Sequence, residues 1–503
     1  MENTSESDVL EPNYKELIST LSEKNTKLEQ ELELYKFRYN ELREKLFGRS
    51  SEKRIYGDSG NVQQPLLELE EEKEFEIEEE YTEVESYKKR KRNSKKSFPE
   101  DLPVDEVVYE PTEKECSTCG EELKEFSRDE RTEIEFKPAR FFKRKIIKVN
   151  CSCPKCKKVV SGQTPNPVIP GSQMGASFFA HLITSRFCDH QPYYRQSQIY
   201  EREGVIIPDK TLSAYAMAIG RMLEPVAKKI KELLFQENYL QVDETRFEVL
   251  AKGKTHRGQL WVINNPLNSL SYYEYFDTRS QEAQDSLLKG YKGIIQTDGY
   301  STYNNFEGSK LCCLAHARRK FIKASKLAKK DANYILKLIS KLYKIEKDLK
   351  KKQKEFKSKE DWYQERLKTR KKDSILILDK IKSYLIKIKD NYVVEGHPMY
   401  EAINYMYKRY DSFTYYTKDG RYQIDNNDIE RVIRPIAIGR RNWLFSGSEN
   451  GAKLSAVMMT VVQTCRQLKV NPQKYLEDVL PKLSSYETKS LDGLTPMEWQ
   501  SSK

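Results

Sequence analysis

The sequence lacks a segment suited to crossing a membrane. Its longest run without Asp, Glu, Lys or Arg spans residues 159–185 and contains three prolines and several glycines, so it would make a poor membrane span. The first residues show no basic stretch followed by an apolar one, as a secretory signal would. We therefore expect a cytoplasmic protein without a membrane partner.

The sequence has fewer acidic than basic residues. It contains 77 Asp and Glu residues against 88 Lys and Arg residues, which gives a formal net charge of +11. A surplus of this sign favours polyanionic partners, although it identifies none by itself. The nine cysteines are an odd number and several stand in close pairs, which indicates reduced thiols and metal ligands rather than disulfides. A chain of 503 residues is long enough for about three domains.

A heptad pattern marks the N-terminal region, where apolar residues recur at alternating steps of three and four. The a positions are Ile18, Asn25, Leu32, Tyr39 and Leu46, and the d positions are Leu21, Leu28, Tyr35 and Leu42. A single Asn at an a position costs stability but favours two strands in one register. The pattern predicts self-association through residues 14–47, and the alternative is one amphipathic helix packed on the rest of the protein.

A charged segment separates this helix from a cysteine-rich module. Residues 68–85 contain eleven Glu and one Lys, and a basic block follows them, so we interpret residues 48–97 as a solvated linker. Beyond it, two C-x-x-C pairs are separated by 33 residues, which predicts a structural zinc site in a zinc ribbon over residues 98–165. The predicted ligands are Cys116, Cys119, Cys153 and Cys156, with Cys151 as an alternative fourth ligand.

Two helices joined by a glycine are predicted next. Residues 193–203 and 211–223 have helical patterns on either side of Gly204, within a helical segment over residues 176–237. If the pair is a helix-turn-helix unit, the side chains that would face a DNA groove are Arg195, Gln196, Gln198 and Arg202. A helical hairpin with a purely structural role is an equally good interpretation.

From Tyr239 the pattern changes to short aromatic and β-branched runs that are typical of strands. The predicted order is three strands, a helix and a fourth strand, at residues 239–243, 259–263, 271–276, 281–288 and 293–298. This is the order of a ribonuclease H-like core. Asp243 and Asp298 each end a strand, and adjacent strands would bring together two carboxylates that repel each other unless a cation lies between them.

A third carboxylate must come from a helix, and Glu430 meets this need because an Asn is available to cap a helix that begins just before it. Three carboxylates can hold two Mg²⁺ ions, one activating a water or a 3′-hydroxyl and the other stabilising the leaving oxygen of a phosphodiester. Any one of these acids alone would be interpreted as a turn or capping residue. The set of three predicts phosphoryl transfer.

Further motifs occur in order along nearly the whole chain. They are Leu46-Phe-Gly-Arg-Ser-Ser-Glu-Lys53, Tyr194-Arg-Gln196 with Arg202-Glu-Gly204, Val242-Asp-Glu-Thr245, Gln296-Thr-Asp-Gly-Tyr300, Ala315-His-Ala-Arg-Arg-Lys-Phe321, Asp425-Asn-Asn-Asp-Ile-Glu-Arg431 and Gly439-Arg-Arg-Asn-Trp-Leu-Phe445. Together with the cysteine pairs, this series resembles bacterial insertion-sequence transposases of the DDE type. The resemblance is to the branch with an N-terminal leucine-zipper-like helix and a zinc-binding module.

The resemblance implies that Asp243, Asp298 and Glu430 are the metal-binding acids, the same three that the strand argument selects. It implies that Mg²⁺-activated water cleaves DNA at the transposon ends and that the freed 3′-hydroxyl attacks target DNA. The expected cofactors are two Mg²⁺ ions, for which Mn²⁺ can substitute, and structural Zn²⁺. The expected partners are transposon-end and target DNA, a second copy or a higher oligomer, and small accessory proteins of the same element.

Basic residues are predicted to contact DNA. They are Arg195, Arg318, Arg319, Lys320, Arg431, Arg434, Arg440 and Arg441. Four surround Glu430, where guanidinium groups suit bidentate phosphate contacts, and three begin a segment, residues 318–372, with a net charge of +15. His316, in a C-x-x-H motif similar to that of several DDE groups, either orients an acid or a scissile phosphate or packs in the core.

The predicted fold class is multidomain α/β, a ribonuclease H-like catalytic core with a helical insertion, preceded by a coiled-coil helix and a zinc ribbon. The predicted bounds are 14–47 for the coiled coil, 48–97 for the linker, 98–165 for the ribbon, 176–237 for the helical DNA-binding segment, 238–317 with 411–462 for the core, 318–410 for the basic insertion and 463–503 for a C-terminal helical segment. The predicted function is a DNA transposase, cytoplasmic and associated with the nucleoid when bound to DNA. The alternatives are a related metal-dependent nuclease and a DNA-binding descendant without activity.

Overall fold

The structure is a computed structural model that describes residues 7–47, 141–147, 150–152, 159–161, 166–251, 254–484 and 491–501. The four predicted zinc ligands, Cys116, Cys119, Cys153 and Cys156, lie outside these residues, as does the predicted linker. The chain divides into two compact units, Met1–Leu66 with Lys143–Lys503 and Leu67–Phe142, and every element below belongs to the first. The zinc ribbon stays a prediction.

The first element is one long helix, α1 (Ser7–Phe47), where the heptad pattern predicts it. Its a and d side chains from Ile18 to Leu42 are exposed in the single chain, Ile18 for example by 65%. The opposite face lies against a later part of the chain, where the Gln30 side-chain amide donates to the Asn391 carbonyl at 2.5 Å and accepts from the Val393 N–H at 3.2 Å. The helix is confirmed, and the coiled coil with a second copy stays a prediction.

A short antiparallel hairpin and three helices precede the main sheet. The hairpin consists of β1 (Asn150–Ser152) and β2 (Val159–Ser161), and the helices are α2 (Ala176–Phe187), α3 (Tyr193–Arg202) and α4 (Asp209–Phe235). Gly204 follows α3 with a φ of +81°, which glycine adopts without strain. Both predicted helices are confirmed, and α4 continues to Phe235, close to the predicted end of the helical segment at residue 237, because its apolar face extends to the buried Leu234.

The central sheet has five strands in the order β5-β4-β3-β6-β7. They are β3 (Tyr239–Ala251), β4 (Lys254–Asn265), β5 (Leu270–Phe276), β6 (Ile294–Thr297) and β7 (Ser309–Cys312). Strands β3, β4 and β5 are antiparallel, whereas β6 pairs in parallel with both β3 and β7. Helix α5 (Gln281–Leu287) connects β5 to β6, and a 3₁₀ turn, Ser301–Asn305, follows β6. The four predicted strands and the predicted helix are confirmed, and β7 is an addition.

Helices occupy the chain between β7 and the region of Glu430. They are α6 (Leu314–Ala324), α7 (Lys329–Lys352), α8 (Lys359–Thr369), α9 (Ile375–Ile388), α10 (Pro398–Lys408) and α11 (Tyr410–Thr414), with a π-helical turn at Arg370–Ser374 and 3₁₀ turns at Gln353–Glu355, Lys389–Asn391 and Tyr415–Lys418. These helices enclose a second hydrophobic core, which contains the predicted apolar face of α7, including Ile335, Leu338 and Leu342.

Four helices complete the described chain, α12 (Asn427–Trp443), α13 (Glu449–Gln467), α14 (Pro472–Ser484) and α15 (Pro496–Ser501). Helix α13 packs on β5, where the Tyr273 N–H donates to Thr460 Oγ1 at 3.0 Å and Thr464 Oγ1 donates to the Ser271 carbonyl at 3.1 Å. The main core lies between the sheet and helices α2, α4, α13 and α14. The fold is therefore mixed α/β, mostly helical, around a small mixed sheet. In the ranges described, every helix is too short or too polar to span a bilayer.

Candidate active site

Strands β3 and β6 bring Asp243 and Asp298 side by side. The strands pair in parallel with Gln241 opposite Gln296. Each aspartate lies two residues after one of these glutamines, so the two aspartates occupy matching positions. Paired strands are about 4.8 Å apart, which places the two acids within direct Coulomb range. The strands thus pair as the sequence argument requires, but Asp243 lies inside β3 and does not end it, because the strand continues to Ala251 as a partner of β4.

Glu430 approaches from the first turn of α12. The Gln241 side chain fixes the start of this helix, because it accepts from the Ile429 N–H at 3.1 Å and donates to the Asp425 carbonyl at 3.3 Å. Glu430 itself is only 6% exposed. Since Gln241 lies two residues before Asp243, one side chain positions the helix of the third acid against the strand of the first.

The acids act strongly on one another. Burial, followed by the charges of Glu244, Asp298 and Glu430, raises the pKa of Asp243 well above its usual range. The Glu244 N–H donates to Asp243 at 2.9 Å and opposes this effect in part. A carboxylate buried among other carboxylates is stabilised by a bound cation, because the cation offsets the repulsion.

Two arginines already offset part of this negative charge. Arg319 on α6 donates to Glu430 Oε1 at 2.5 Å. Arg279, just before α5, forms an ion pair with Glu244 and lies 3.7 Å from Asp298 Oδ2. Asp298 and Glu430 therefore each have a guanidinium beside them.

Sequence reasoning does not find Glu244, Arg279 or Tyr303. Glu244 is 2% exposed and accepts from the Tyr303 hydroxyl at 2.7 Å, and burial raises its pKa although Arg279 opposes the shift. Its position next to Asp243 is a signal, but alternation along a strand points the two side chains to opposite faces. Arg279, whose guanidinium stacks 3.6 Å from the centre of the Tyr300 ring, comes from a loop that carries no sequence signal.

His316 lies beside the third acid. Its Nε2 is 4.0 Å from Glu430 Oε1, and its Nδ1 is 3.5 Å from Arg319 Nη2. Burial, followed by the charges of Arg319 and Lys320, lowers the pKa of His316 to about 3, so the ring is neutral near pH 7. Cys313, at the start of the same helix, is fully buried and its Sγ accepts from a backbone N–H of the α12 cap. This position favours an orienting role for His316 and a packing role for Cys313.

Oxygen atoms suited to a hard cation are buried at the site. Glu430 Oε2 is buried without a hydrogen-bond partner, and so are both polar side-chain atoms of Asn426, the residue before α12. Leaving a buried acceptor without a donor costs free energy, and carboxylate and amide oxygens are ligands of Mg²⁺. Among the residues described, no three His, Cys, Asp or Glu side chains converge closely enough to form a ready-made metal site.

Comparison with protein families identifies the chain. The family described as "Transposase IS66 family" matches residues 171–454, more than half of the chain, including the whole sheet and the three acids. The chain belongs to the IS66 family of transposases. A second family, described as "Transposase C of IS166 homeodomain", matches residues 34–107 of this IS66 transposase. The protein is thus an enzyme of DNA recombination from a mobile element, with DNA as its partner.

Two relatives of this IS66-family member occur in Sinorhizobium fredii. The protein named "Uncharacterized protein y4hP" is 30% identical over 444 residues, which cover 82% of this chain and 78% of that protein. The protein named "Uncharacterized protein y4jD" is 26% identical over 426 residues, which cover 80% of this chain and 81% of that protein. Both similarities extend well beyond the 171–454 match.

Several of the basic residues predicted to bind DNA in this transposase have protein partners. Besides Arg319, these pairs are Arg431 with Asp428, Arg195 with Asn442 at 3.4 Å, Arg440 with Thr245 Oγ1 at 3.3 Å and Lys320 over the Tyr405 ring at 4.9 Å. Arg318 and Arg441 are exposed, and Arg434 is half-buried. A surface ion pair of the Arg431 type is weak and can exchange for phosphate.

Gln196 does not face a DNA groove. It is fully buried, donates to the Gln191 carbonyl at 3.1 Å and accepts from the Tyr200 hydroxyl at 3.1 Å. The expectation for this residue was wrong because α3 packs this face against the core. Arg195, Gln198 and Arg202 lie on the exposed face of the helix pair.

Proposed function

We propose that this transposase cleaves DNA at the ends of its mobile element and joins the freed 3′ ends to target DNA by metal-dependent phosphoryl transfer at Asp243, Asp298 and Glu430. The observation that carries the proposal is the in-register pairing of β3 with β6, together with the Gln241 hydrogen bonds that hold α12 beside them. Two paired strands and the start of a helix thus support the proposal that these three carboxylates act together.

The sheet and its covering helices are proposed to form a ribonuclease H-like core. Three antiparallel strands, a helix and two parallel strands follow one another along the chain, and the order β5-β4-β3-β6-β7 places the first strand of this series at the centre. This order supports the proposal. Asp243, inside β3, and Asp298, directly after β6, lie at matching positions of this parallel pair.

The proposed site fits two Mg²⁺ or Mn²⁺ ions. Its ligand atoms are carboxylate oxygens, which suit these ions. Glu430 Oε2 is buried without a hydrogen-bond partner, and the repulsion among the acids is largest when no cation is bound. When bound, the ions supply charge neutralisation and activation of a water or a 3′-hydroxyl. Asp243, Asp298 and Glu430 would hold them.

Other side chains of the chain bind and orient the DNA. Arg279 and Arg319 neutralise the acids and are near enough to transfer their hydrogen bonds to a phosphate, for which the planar guanidinium is well shaped. The neutral ring of His316 can accept or donate one hydrogen bond, which holds Glu430 or a phosphate oxygen in one orientation. Catalysis then depends mainly on positioning and on charge.

Two further elements belong to the same proposal. The exposed a and d side chains of α1 would join two copies in a coiled coil, because an apolar stripe of this length is costly in water. Cys116, Cys119, Cys153 and Cys156 would hold a structural Zn²⁺. Activity of the purified chain alone would show that accessory proteins of the element are dispensable.

The test is Mg²⁺-dependent cleavage and joining of DNA that carries the terminal repeats of the element. The variants are Asp243→Asn, Asp298→Asn and Glu430→Gln, and the matched control is Asp428→Asn, an acid in the same turn of α12 that pairs with Arg431. We expect the three variants to lose both reactions while they still bind DNA, because each removes a metal ligand. The control should react like the wild type.

Each other outcome points to a different function. Cleavage without joining indicates a metal-dependent nuclease. DNA binding without cleavage by the wild type indicates a missing accessory protein or an inactive descendant. Activity that survives Glu430→Gln means that the third acid lies elsewhere.

A further inference from the structure

Helix α12 ends in a strained turn that holds Leu444 in solvent. Leu444 has a φ of +64° and a ψ of −59°, and the Phe445 N–H donates to the Trp443 carbonyl at 2.8 Å. These values define a γ-turn of the positive-φ type, which is rare and strained, and a bulky residue in it is an outlier. Leu444 is 63% exposed, so burial of its side chain does not compensate for the strain.

Both flanks of this turn are fixed. On one side Trp443 is buried, with its ring 6.0 Å from the Phe187 ring. On the other side the Ser446 N–H donates to the Glu248 carbonyl at 2.8 Å, and the Leu250 N–H donates to the Ser446 carbonyl at 2.8 Å. These bonds attach the turn to β3, the strand that carries Asp243. A single exposed leucine is ordinary, but one that its surroundings force into a strained backbone indicates a functional constraint.

Positive charge gathers beside the turn. Arg440 and Arg441 lie in the last turn of α12, and Arg440 Nη1 donates to the carbonyl of Arg246 on β3 at 3.1 Å. Burial, followed by the charges of Arg441 and Arg246, lowers the pKa of Arg440, so the three guanidiniums repel one another. Glu248, which opposes this shift, also has Arg257 at 3.5 Å. Such a surplus attracts a polyanion and disfavours an apolar protein surface.

We propose that Leu444 is a wedge that enters a base-pair step of bound duplex DNA, while Arg246, Arg440 and Arg441 bind the phosphates beside that step. Apolar side chains that enter a base step unstack it and bend the duplex. A turn that is rigid before binding suits this task, because little ordering is needed when DNA arrives. The proposal rests on the proposed function, since it takes DNA as the ligand.

The position of the turn sets the place of the unstacked step. Ser446 pairs with Glu248 and Leu250, which follow Asp243 on β3 by five and seven residues. At about 3.3 Å per strand residue, the turn lies roughly 17–23 Å along the strand from Asp243. The step that Leu444 enters should therefore lie several base pairs from the bond that is cleaved.

The test uses the full chain with Asp243→Asn and without added Mg²⁺, so that no cleavage occurs. The probe is a terminal-repeat duplex with 2-aminopurine at successive positions, because the fluorescence of this base rises when it is unstacked. Leu444→Gly removes the wedge and relieves the strain, since glycine accepts a positive φ. The matched control is Ile438→Ala, which removes a 41% exposed side chain from the regular part of the same helix.

We expect a rise in fluorescence at one position with Leu444 present and with Ile438→Ala, and loss of that rise with Leu444→Gly. Binding, measured by anisotropy, and thermal stability should persist in Leu444→Gly, which separates loss of the wedge from unfolding. Arg441→Ala should lower the slope of log affinity against log salt by about one. An unchanged slope would overturn the phosphate contact.

A rise that persists in Leu444→Gly, or DNA binding without a rise at any position, would overturn the wedge. Either result leaves the proposed transposition chemistry intact, because cleavage is measured separately with Asp243 and Mg²⁺ present. Conversely, a failed cleavage assay would leave the fluorescence result standing, since it requires DNA binding alone.

Discussion

Replacing Glu346 with glutamine should destabilise the protein far more than a change to an exposed acid on the same helix. Glu346 lies on α7 and is nearly buried against two buried arginines, Arg366 and Arg370. It accepts four hydrogen bonds from them, between 2.7 and 3.1 Å. Glutamine keeps the volume of the side chain but removes the carboxylate that pairs with both buried guanidiniums.

The expected loss follows from the burial of this cluster. Removing one partner of a buried ion pair costs about 3–5 kcal/mol, and because glutamine keeps one acceptor oxygen we expect the lower end, about 3 kcal/mol. The unit that contains Glu346 spans Met1–Leu66 with Lys143–Lys503, and at its size 1 kcal/mol shifts the midpoint of thermal unfolding by roughly 1 °C, so the midpoint should fall by about 3 °C. Replacing Glu346, Arg366 and Arg370 together by apolar residues of similar volume should recover most of the loss.

The same cluster predicts a dependence on pH. Burial alone would raise the pKa of Glu346, but the hydrogen bonds from Arg370 and the charges of Arg370 and Arg366 outweigh it and hold the pKa below its usual range. A carboxyl with a lowered pKa in the folded state stabilises the protein fully above its unfolded pKa, and this contribution is lost as the pH falls through the folded value. The difference between wild type and Glu346→Gln should therefore shrink below about pH 4.

Thermal unfolding followed by circular dichroism measures both effects. The control is Asp348→Asn on the same helix, where the exposed carboxylate pairs with Lys351 at 3.1 Å and should contribute less than about 0.5 kcal/mol. The argument from buried charge is refuted if Glu346→Gln unfolds at the same temperature as the control, or if its loss of stability is independent of pH.

Three further outcomes are expected. Gln241→Leu should lower turnover at least about tenfold with DNA affinity retained, because it removes both hydrogen bonds that position α12 and a small displacement of a catalytic group is costly. Asp243→Asn should stabilise the metal-free protein by about 1 kcal/mol, since it removes a repelled buried charge, and Mg²⁺ should raise the unfolding temperature of the wild type only. Leu21→Asp with Leu28→Asp should give monomers in sedimentation, whereas Lys27→Asp, outside the a and d positions, should not.

Each of these has a result that contradicts it. Normal turnover of Gln241→Leu would mean that other contacts hold α12 in place. Equal stabilisation of wild type and Asp243→Asn by Mg²⁺ would move the ion away from Asp243. A dimer that persists in the double aspartate variant would move self-association away from the heptads.

The elements that the sequence predicts are those with a local pattern. Aromatic and β-branched runs identify four strands, and helical spacing identifies the buried face of α7. Strand β7 (Ser309–Cys312) is not predicted from the sequence, because it has four residues and only its last two are buried, so no alternation is visible. The predicted asparagine at the start of α12 is there, but the Asn426 side chain makes no capping hydrogen bond and is buried instead.

The candidate site divides in the same way. Its three acids adjoin two apolar strand runs and a helix start, which are local features, and they can be selected from the sequence, although Asp243 lies inside β3 and not at its end. The ion pairs of Arg279 with Glu244 and of Arg319, predicted only as a DNA contact, with Glu430 cannot be selected in this way, because these residues are 35 and 111 positions apart in the sequence. Ion pairs between residues so far apart in the sequence depend on how helices pack against the sheet. That packing cannot be inferred from composition.

The long insertion makes a particular demand on the fold, because 131 residues separate Asp298 from Glu430 and the chain itself cannot hold the third acid near the second. Contacts must do so. The segment that enters α12 is held from the insertion by Arg366, which donates to Gln423 Oε1 at 3.0 Å, and by Tyr343, which donates to an oxygen of Asp425 at 3.0 Å.

The sheet holds the same segment from the other side, where the Gln296 side chain donates to the Gln423 carbonyl at 2.9 Å and the Gln241 side chain donates to the Asp425 carbonyl at 3.3 Å. Residues 423–425 are therefore held from one side by two buried side-chain amides of the sheet and from the other side by two side chains of the insertion. Because a buried polar group that loses its partner costs free energy, the insertion and the sheet cannot separate here without exposing or orphaning these groups. The helices of the insertion therefore help to determine where Glu430 stands, in addition to any contact that they make with DNA.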